Sequence, residues 1–222
     1  MSRSTTDRVS LISRLDGHFG RCAAIAAAGI GVGDALLGSH QSADAAIQYS
    51  GVVNINIPST TSGVYLNVVT GVSNASPSLV PGWDVNPWSS SGLGLFNPSA
   101  PSGGVYVATT SGGTTAVNLV PGTLISAASL FGSNSSTNNS QWVLNSSNNC
   151  IGFRLQNEAN GNAIHYGWMR VTLDGTAGGQ PRSILDYAYE TVAGVGINAC
   201  PEPTSMTLLA LGAAGLMIRR RR

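Results

Sequence analysis

Ile164-His165-Tyr166-Gly167-Trp168-Met169-Arg170-Val171-Thr172-Leu173 runs with a period of two. His165, Gly167, Met169 and Val171 fall on one side, and Tyr166, Trp168, Arg170 and Thr172 on the other. Successive side chains point to opposite faces only in a strand, so the stretch predicts one. Upstream, Ile151, Phe153 and Leu155 alternate with Arg154, and Asn160-Gly161-Asn162 supplies a tight turn between the two runs. Downstream, Asp174-Gly175 turns the chain again. Ile184 to Glu190 then carries Tyr187 and Tyr189 on one side and Asp186 and Glu190 on the other. Residues 151–190 therefore predict a three-stranded antiparallel meander.

Working back toward the N-terminus, the period stays at two but the runs shorten. Val53, Ile55 and Ile57 share a face before Pro58 stops the strand, and Gly63 to Thr70 is a second run. Trp83 with Val85, Gly92 to Phe96, Val105 to Thr110 and Thr114 to Val120 follow, the last ended by Pro121-Gly122. Turn signals recur about every eight to twelve residues, the spacing of short strands in a sandwich or barrel. The expected fold is all-β, an antiparallel β-sandwich or jelly-roll-like domain. One short helix is expected, over Ser126 to Phe131. Gly132 to Asn149 is rich in Ser and Asn and reads as a long loop anchored by Trp142-Val-Leu144.

The charge distribution separates the middle of the chain from its ends. Of 222 residues only 9% are charged, and there is no Lys; an average soluble protein has about 25% charged residues. Arg3, Arg8, Arg14 and Arg21 precede one apolar run, and Arg219 to Arg222 follow another. Between Ala46 and Cys200, Arg154, Arg170 and Arg182 face Asp84, Glu158, Asp174, Asp186 and Glu190, a net charge of 3 − 5 = −2. Positive charge beside apolar segments orients membrane insertion. It forms no patch that would bind nucleic acid, and an extracellular β-protein is expected rather than a cytosolic enzyme.

Residues 1–45 read as a secretory signal peptide. A long basic stretch precedes an apolar run from about Cys22 to Gly38, and Ala43-Asp44-Ala45 fits a small-residue cleavage site with cutting before Ala46. The mature β-domain is then 46–200, followed by 201–222. That last segment reads Pro201-Glu202-Pro203-Thr204-Ser205, an apolar run from Met206 to Ile218, and Arg219-Arg220-Arg221-Arg222. Fifteen helical residues span about 22 Å, short of a hydrocarbon core of about 30 Å. Arg side chains at its end can snorkel to the cytoplasmic interface. A marginal helical span with a basic stop suits a signal that holds a protein briefly in the membrane.

Few residues in the mature span carry chemistry. Cys150 and Cys200 are its two cysteines. In an oxidising compartment a disulfide between them is the natural pairing, with free thiols or an intermolecular bond from Cys200 as the other readings. His165 is the single histidine of the span, and no nucleophile motif accompanies it. The carboxylates are scattered, without the facing pair that glycoside hydrolysis needs. Asp84 and Asn86 lack the ligand-rich spacing of a Ca²⁺ loop, and no Cys/His spacing marks a zinc site. No catalytic residue, cofactor or metal is therefore assigned. Trp83, Trp88, Trp142, Tyr166 and Trp168 are candidate glycan contacts, and their bland alternative is core packing.

Pro201-Glu202-Pro203, the apolar run and the terminal Arg cluster, in that order, resemble the PEP-CTERM proteins. These are exported bacterial proteins sorted by the intramembrane protease-transferase exosortase. The resemblance extends to His165-Tyr166-Gly167-Trp168 and Asp186-Tyr187-Ala188-Tyr189-Glu190, similar strands of which stand ahead of the tail in members of that family. One departure is Cys200, where a small or apolar residue is more usual. The resemblance implies removal of the tail near Pro201-Glu202-Pro203, after a transient stage in the inner membrane. Exosortase and signal peptidase are the implied processing partners. The implied destination is the cell surface or the extracellular matrix, with exopolysaccharide as a candidate partner. The function expected is structural or interaction-based and non-enzymatic; the alternatives are a carbohydrate-binding module and a secreted hydrolase.

Overall fold

The computed structural model describes residues 46–132 and 139–201. The leader with Ala43 and Ala45, and the tail with Glu202, Pro203 and Arg219 to Arg222, lie outside the described residues. The expected signal helix and C-terminal transmembrane helix lie there too. Among the described residues no helix is long and apolar enough to cross a membrane.

Among the described residues thirteen strands follow in order: β1 (Ile47–Tyr49), β2 (Ile55–Asn56), β3 (Tyr65–Leu66), β4 (Ser73–Asn74), β5 (Asn86–Trp88), β6 (Gly94–Phe96), β7 (Tyr106–Val107), β8 (Leu124–Ile125), β9 (Phe131–Gly132), β10 (Ser146–Asn157), β11 (Ala163–Leu173), β12 (Ser183–Glu190) and β13 (Ile197–Asn198). Helix among the described residues is confined to single 3₁₀ turns at Pro77–Leu79, Asn139–Gln141 and Glu158–Asn160. The all-β antiparallel class read from the alternation is therefore what the molecule shows. Its main element is a seven-stranded sheet in the order β1-β12-β11-β10-β7-β9, with β2 also paired to β12. Three two-stranded ladders, β3–β4, β5–β6 and β8–β13, complete the regular structure.

The expected meander is β10–β11–β12. Phe153 stands opposite Gly167 and Gly152 opposite Trp168, while Trp168 faces Ala188 on the next strand. A bulge between Arg170 and Val171 lets Asp186 sit across from Arg170 and Ile184 across from Val171. This irregularity keeps Ile184, Tyr187 and Tyr189 on one face although their spacing is uneven.

Both faces of this sheet are buried. On the first, Ile151, Phe153, Leu155, Met169, Val171, Leu173, Ile184, Tyr187 and Tyr189 pack with Ile57, Val64, Leu66, Val68, Val85, Leu93 and Leu95 from the small ladders and the loops around them. On the second, Cys150, Tyr166, Trp168 and Ala188 pack under Leu119, Ile125, Ile197, Ala199 and Cys200. Each fully buried aliphatic or Phe side chain contributes about 1.5–3 kcal/mol relative to exposure, so the long strands and their irregular covers both supply the core's driving force.

The front half departs from the expected long runs. Gly63 to Thr70 yields only Tyr65–Leu66 as strand, because Asn67 closes a turn by accepting from Val69 and Thr70 backbone N–H. Thr114 to Val120 makes only isolated bridges, Ala116 to Ala108 and Asn118 to Ile151. The helix expected over Ser126 to Phe131 is a turn. Ser126 N–H donates to the Ser129 hydroxyl (3.1 Å), Ala128 N–H to the Ser126 hydroxyl (3.3 Å), and Phe131 pairs with Val107 in the sheet. Serine side chains offer the backbone local partners that compete with a helix, and here the sheet edge takes the rest.

Candidate functional site

The chain leaves the fold through a fastened exit. β13 pairs with β8, placing Asn198 opposite Leu124. Beyond the ladder, Ala199 N–H donates to Thr123 O (2.8 Å) and Gly122 N–H to Ala199 O (2.7 Å). Cys200 is then bonded to Cys150 of β10, with Cα atoms 6.0 Å apart and fifty positions between them in sequence. Cys200 has φ +39°, a left-handed conformation that a non-glycine residue holds only where its surroundings fix it. Ala199 and Cys200 are buried and Pro201 is half-buried. Pro121, Asn148, Cys150, Arg170 and Cys200 line a small pocket of about 220 Å³ beside the bond.

Charged groups near this exit are held internally. Asp186, fully buried, accepts from Arg170 Nε (2.7 Å), from the Arg170 terminal nitrogen and from the Tyr49 hydroxyl (2.7 Å). The Asp186 hydrogen bond holds the Arg170 guanidinium above its ordinary range. Burial first, and then Asp186, push the Tyr49 phenol up. Arg170 also lies over the Trp168 ring at 6.0 Å. At the end of β12, Glu190 Oε1 accepts from Ala46 N–H (2.9 Å) and Val192 N–H (3.0 Å).

The remaining ionisable residues were invisible as a group in the sequence. Arg182 is 1% exposed, and its guanidinium donates to the backbone carbonyls of Ile57 (3.0 Å), Pro58 (2.8 Å), Ala177 (2.8 Å), Ser89 and Gly92. Burial lowers its pKa, and the carbonyl dipoles take the place of a carboxylate. His165 is fully buried, with Nδ1 2.8 Å from Glu190 O and Nε2 3.2 Å from the Asn160 side chain. Arg154 donates to Gly104 O and Ser102 O, both at 2.8 Å, and covers the Phe131 ring at 4.5 Å. Asp84 is 4% exposed, and Oδ2 accepts from Val68 N–H (2.8 Å). Burial pushes its pKa up to about 7, against the opposing Val68 hydrogen bond, and the Glu158 charge adds to the rise. Glu158 packs on Gly82, where an added Cβ would lie 2.6 Å from its Oε1. These two carboxyls are separated by more than seventy positions, so no local motif announces them. Asn86 does not turn toward Asp84 as a shared ligand set would require; its amide donates to Ser62 O (2.9 Å). Among the described residues no group of three metal-ligating side chains comes together.

The candidate glycan contacts separate into two sets. Trp142, Tyr166 and Trp168 are 5%, 5% and 1% exposed, and the indole N–H groups of Trp142 and Trp168 are buried without an acceptor. They pack as apolar bodies. Trp83 and Trp88 are half-buried. Trp83 stacks with exposed Phe96 (centroids 5.9 Å, 24° between planes) and meets the edge of Tyr65 at 4.9 Å. Phe96 and Tyr65 were not singled out by sequence, because each stands alone in its own strand.

Fold and exit together define an antiparallel β-domain whose C-terminal departure point is locked to its central sheet. Comparison with protein families finds the PEP-CTERM protein-sorting motif at residues 199–222. No curated protein and no solved structure matches the chain. The motif marks an exported protein that passes through the membrane and is targeted to exosortase. It begins at Ala199, inside the buried end of the fold, so the sorting signal and the domain overlap at the disulfide.

Proposed function

We propose that this protein is a non-enzymatic structural or interaction component of the cell surface or extracellular matrix, made as a precursor and trimmed at both ends. In this reading residues 1–45 are a cleaved signal peptide with a signal helix, and 201–222 form a short transmembrane helix removed near Pro201-Glu202-Pro203. The observation that carries it is the sorting motif beginning at the disulfide-locked end of the domain. Five residues, 201–205, separate Cys200 from the apolar run; extended, they reach at most about 17 Å. Cleavage there leaves a domain whose new C-terminus stays tied to its sheet. The internal bonding of Asp186, Glu190, Arg182 and His165 supports a structural role, since each already holds the fold together. The architecture proposed is a lopsided sandwich, with the long sheet as one layer and β3–β4 with β5–β6 as the other, sharing the first-face core.

Deleting Arg219 to Arg222 tests the sorting reading. The expected result is a changed distribution of the protein among membrane, surface and medium; an unchanged distribution would sink it. A second reading, binding of exopolysaccharide, is favoured by one observation: the Trp83–Phe96 stack with Tyr65 at its edge. Partly exposed aromatic faces suit sugar rings. Glycan-array binding by the exported protein, lost on Trp83→Ala, would establish it.

A further inference from the structure

Glu190 is 1% exposed and has no side-chain cation: among the described residues the single ion pair is Arg170–Asp186. Two backbone nitrogens reach its Oε1, that of Ala46 at 2.9 Å and that of Val192 at 3.0 Å, and of the two only the Ala46 nitrogen lies at the leader boundary. The rest of Ala46 is fixed as well, because its carbonyl accepts from Thr191 N–H (2.9 Å) and Ile47 pairs with Glu190 in the β1–β12 ladder. The sequence independently places the end of the leader between Ala45 and Ala46.

We propose that Glu190 is a capture site for the α-ammonium group created when the leader is removed. The inference rests on the cleaved-leader reading above. Before cleavage the Ala46 nitrogen is a neutral amide. Hydrolysis breaks the Ala45–Ala46 bond: water supplies the hydroxyl to the Ala45 carbonyl, and the nitrogen of Ala46 leaves as an amine. The new carboxyl releases its proton, and the amine takes one up as an α-ammonium. The same 2.9 Å contact then joins opposite charges at a buried carboxylate. A charge-assisted hydrogen bond is about twice as strong as a neutral one. Processing thereby tightens β1 onto β12, and the buried carboxylate gains its counter-charge only in the mature chain.

The other ionisable groups nearby are bonded elsewhere. His165 lies on the opposite face, with its Nδ1 2.8 Å from the Glu190 backbone carbonyl and its Nε2 toward Asn160. Tyr166 is on the neighbouring strand, and Tyr49, Arg170 and Asp186 bond to one another further along β12. An α-amine ordinarily titrates near 7.7–8.0. Its partner raises that value in the folded protein, so the contribution is complete below about pH 7.7 and is lost as pH rises through the raised value.

The absence of Lys makes the test selective, because the α-amine is the only amine in the processed protein. The full chain is exported from producing cells, and its N-terminus is sequenced. The purified product is then acetylated with an N-hydroxysuccinimide ester. Acetylation should lower Tm by about 4 °C at pH 6.5 and have no effect at pH 10. In Glu190→Gln it should change nothing further at either pH. If that variant does not fold, the pH dependence of the acetylation effect in the parent decides alone. An N-terminus other than Ala46 removes the leader boundary and this inference with it. An Ala46 N-terminus whose acetylation leaves Tm unchanged, or changes it equally at both pH values, overturns the inference and leaves the leader reading standing.

Discussion

On its first face the long sheet is covered by short ladders and loops fastened through a buried arginine, whereas on its second face the cover is held by a disulfide. The first cover, from Ile57 to Leu95, supplies apolar side chains from two- and three-residue strands and the loops beside them, which have little ladder hydrogen bonding of their own. Arg182 compensates by gathering carbonyls from residues 57–58, 89–92 and 177 onto one guanidinium. On the second cover, β8–β13 is likewise short, but Cys150–Cys200 joins it covalently to β10. Irregular layers need a cross-link of some kind, polar where the site is buried among carbonyls and covalent where the chain is about to leave.

Replacing Arg182 by Met should show the largest effect, confined at first to the first face. It leaves the carbonyls of Pro58, Ser89, Gly92 and Ala177 without their side-chain donor, and Ile57 O with the Gln180 amide alone. At about 1 kcal/mol or more for each buried group, the loss is about 5 kcal/mol. Urea denaturation measures it, and a midpoint within error of the parent would remove Arg182 from its assigned role. Cys150→Ala with Cys200→Ala breaks the second fastening. The chain-entropy model gives about 4 kcal/mol for a loop of about fifty residues. The parent under reductant should match the double variant, and agreement of both with the oxidised parent would show that the bond contributes nothing.

Gly167→Ala is expected to cost about 2 kcal/mol through overpacking. An added Cβ would lie 2.6 Å from the Phe153 ring and 2.7 Å from Ala188 O, and backbone cannot yield as a flexible side chain does. Thermal melts of this variant beside Gly175→Ala, where the nearest atom is 3.7 Å away, isolate the packing effect. Asp84→Asn is the smallest and most pH-dependent. Folding raises the Asp84 pKa to about 7 from 3.8. Between those values the folded state holds a proton that the unfolded state has released, so stability falls as pH rises. Asn removes this slope, although its amide must itself be buried, and the net gain at pH 8 is about 1 kcal/mol. Parent and variant melted at pH 4.5 and pH 8 should diverge only at the higher pH; parallel shifts would refute the assignment.

Legibility in the sequence followed element length. The β10–β12 meander was readable because eight to twelve residues of alternation outvote any single side chain. Its facing was readable too: Met169 and Val171 went to one core, and Tyr166 and Trp168 to the other. The short ladders were not, since two residues carry no period. Gly63 to Thr70 looked like a strand, but the Asn67 side chain turned it. Of the aromatic candidates, composition named Trp83 but not its stacking partner Phe96, whose exposure depends on how β5 and β6 pair.

By itself the sequence determined the strand-forming meander, the sparsely charged character of the middle of the chain, and the sorting motif at its end. Each of these is local, because a periodicity, a composition or an ordered motif is written in neighbouring residues. Tertiary structure alone decided which ionisable groups meet. Ala46 reaches Glu190 across 144 positions and Arg182 reaches Ile57 across 125. A long-range contact is set by how sheets close on their covers, and no window of sequence contains both partners.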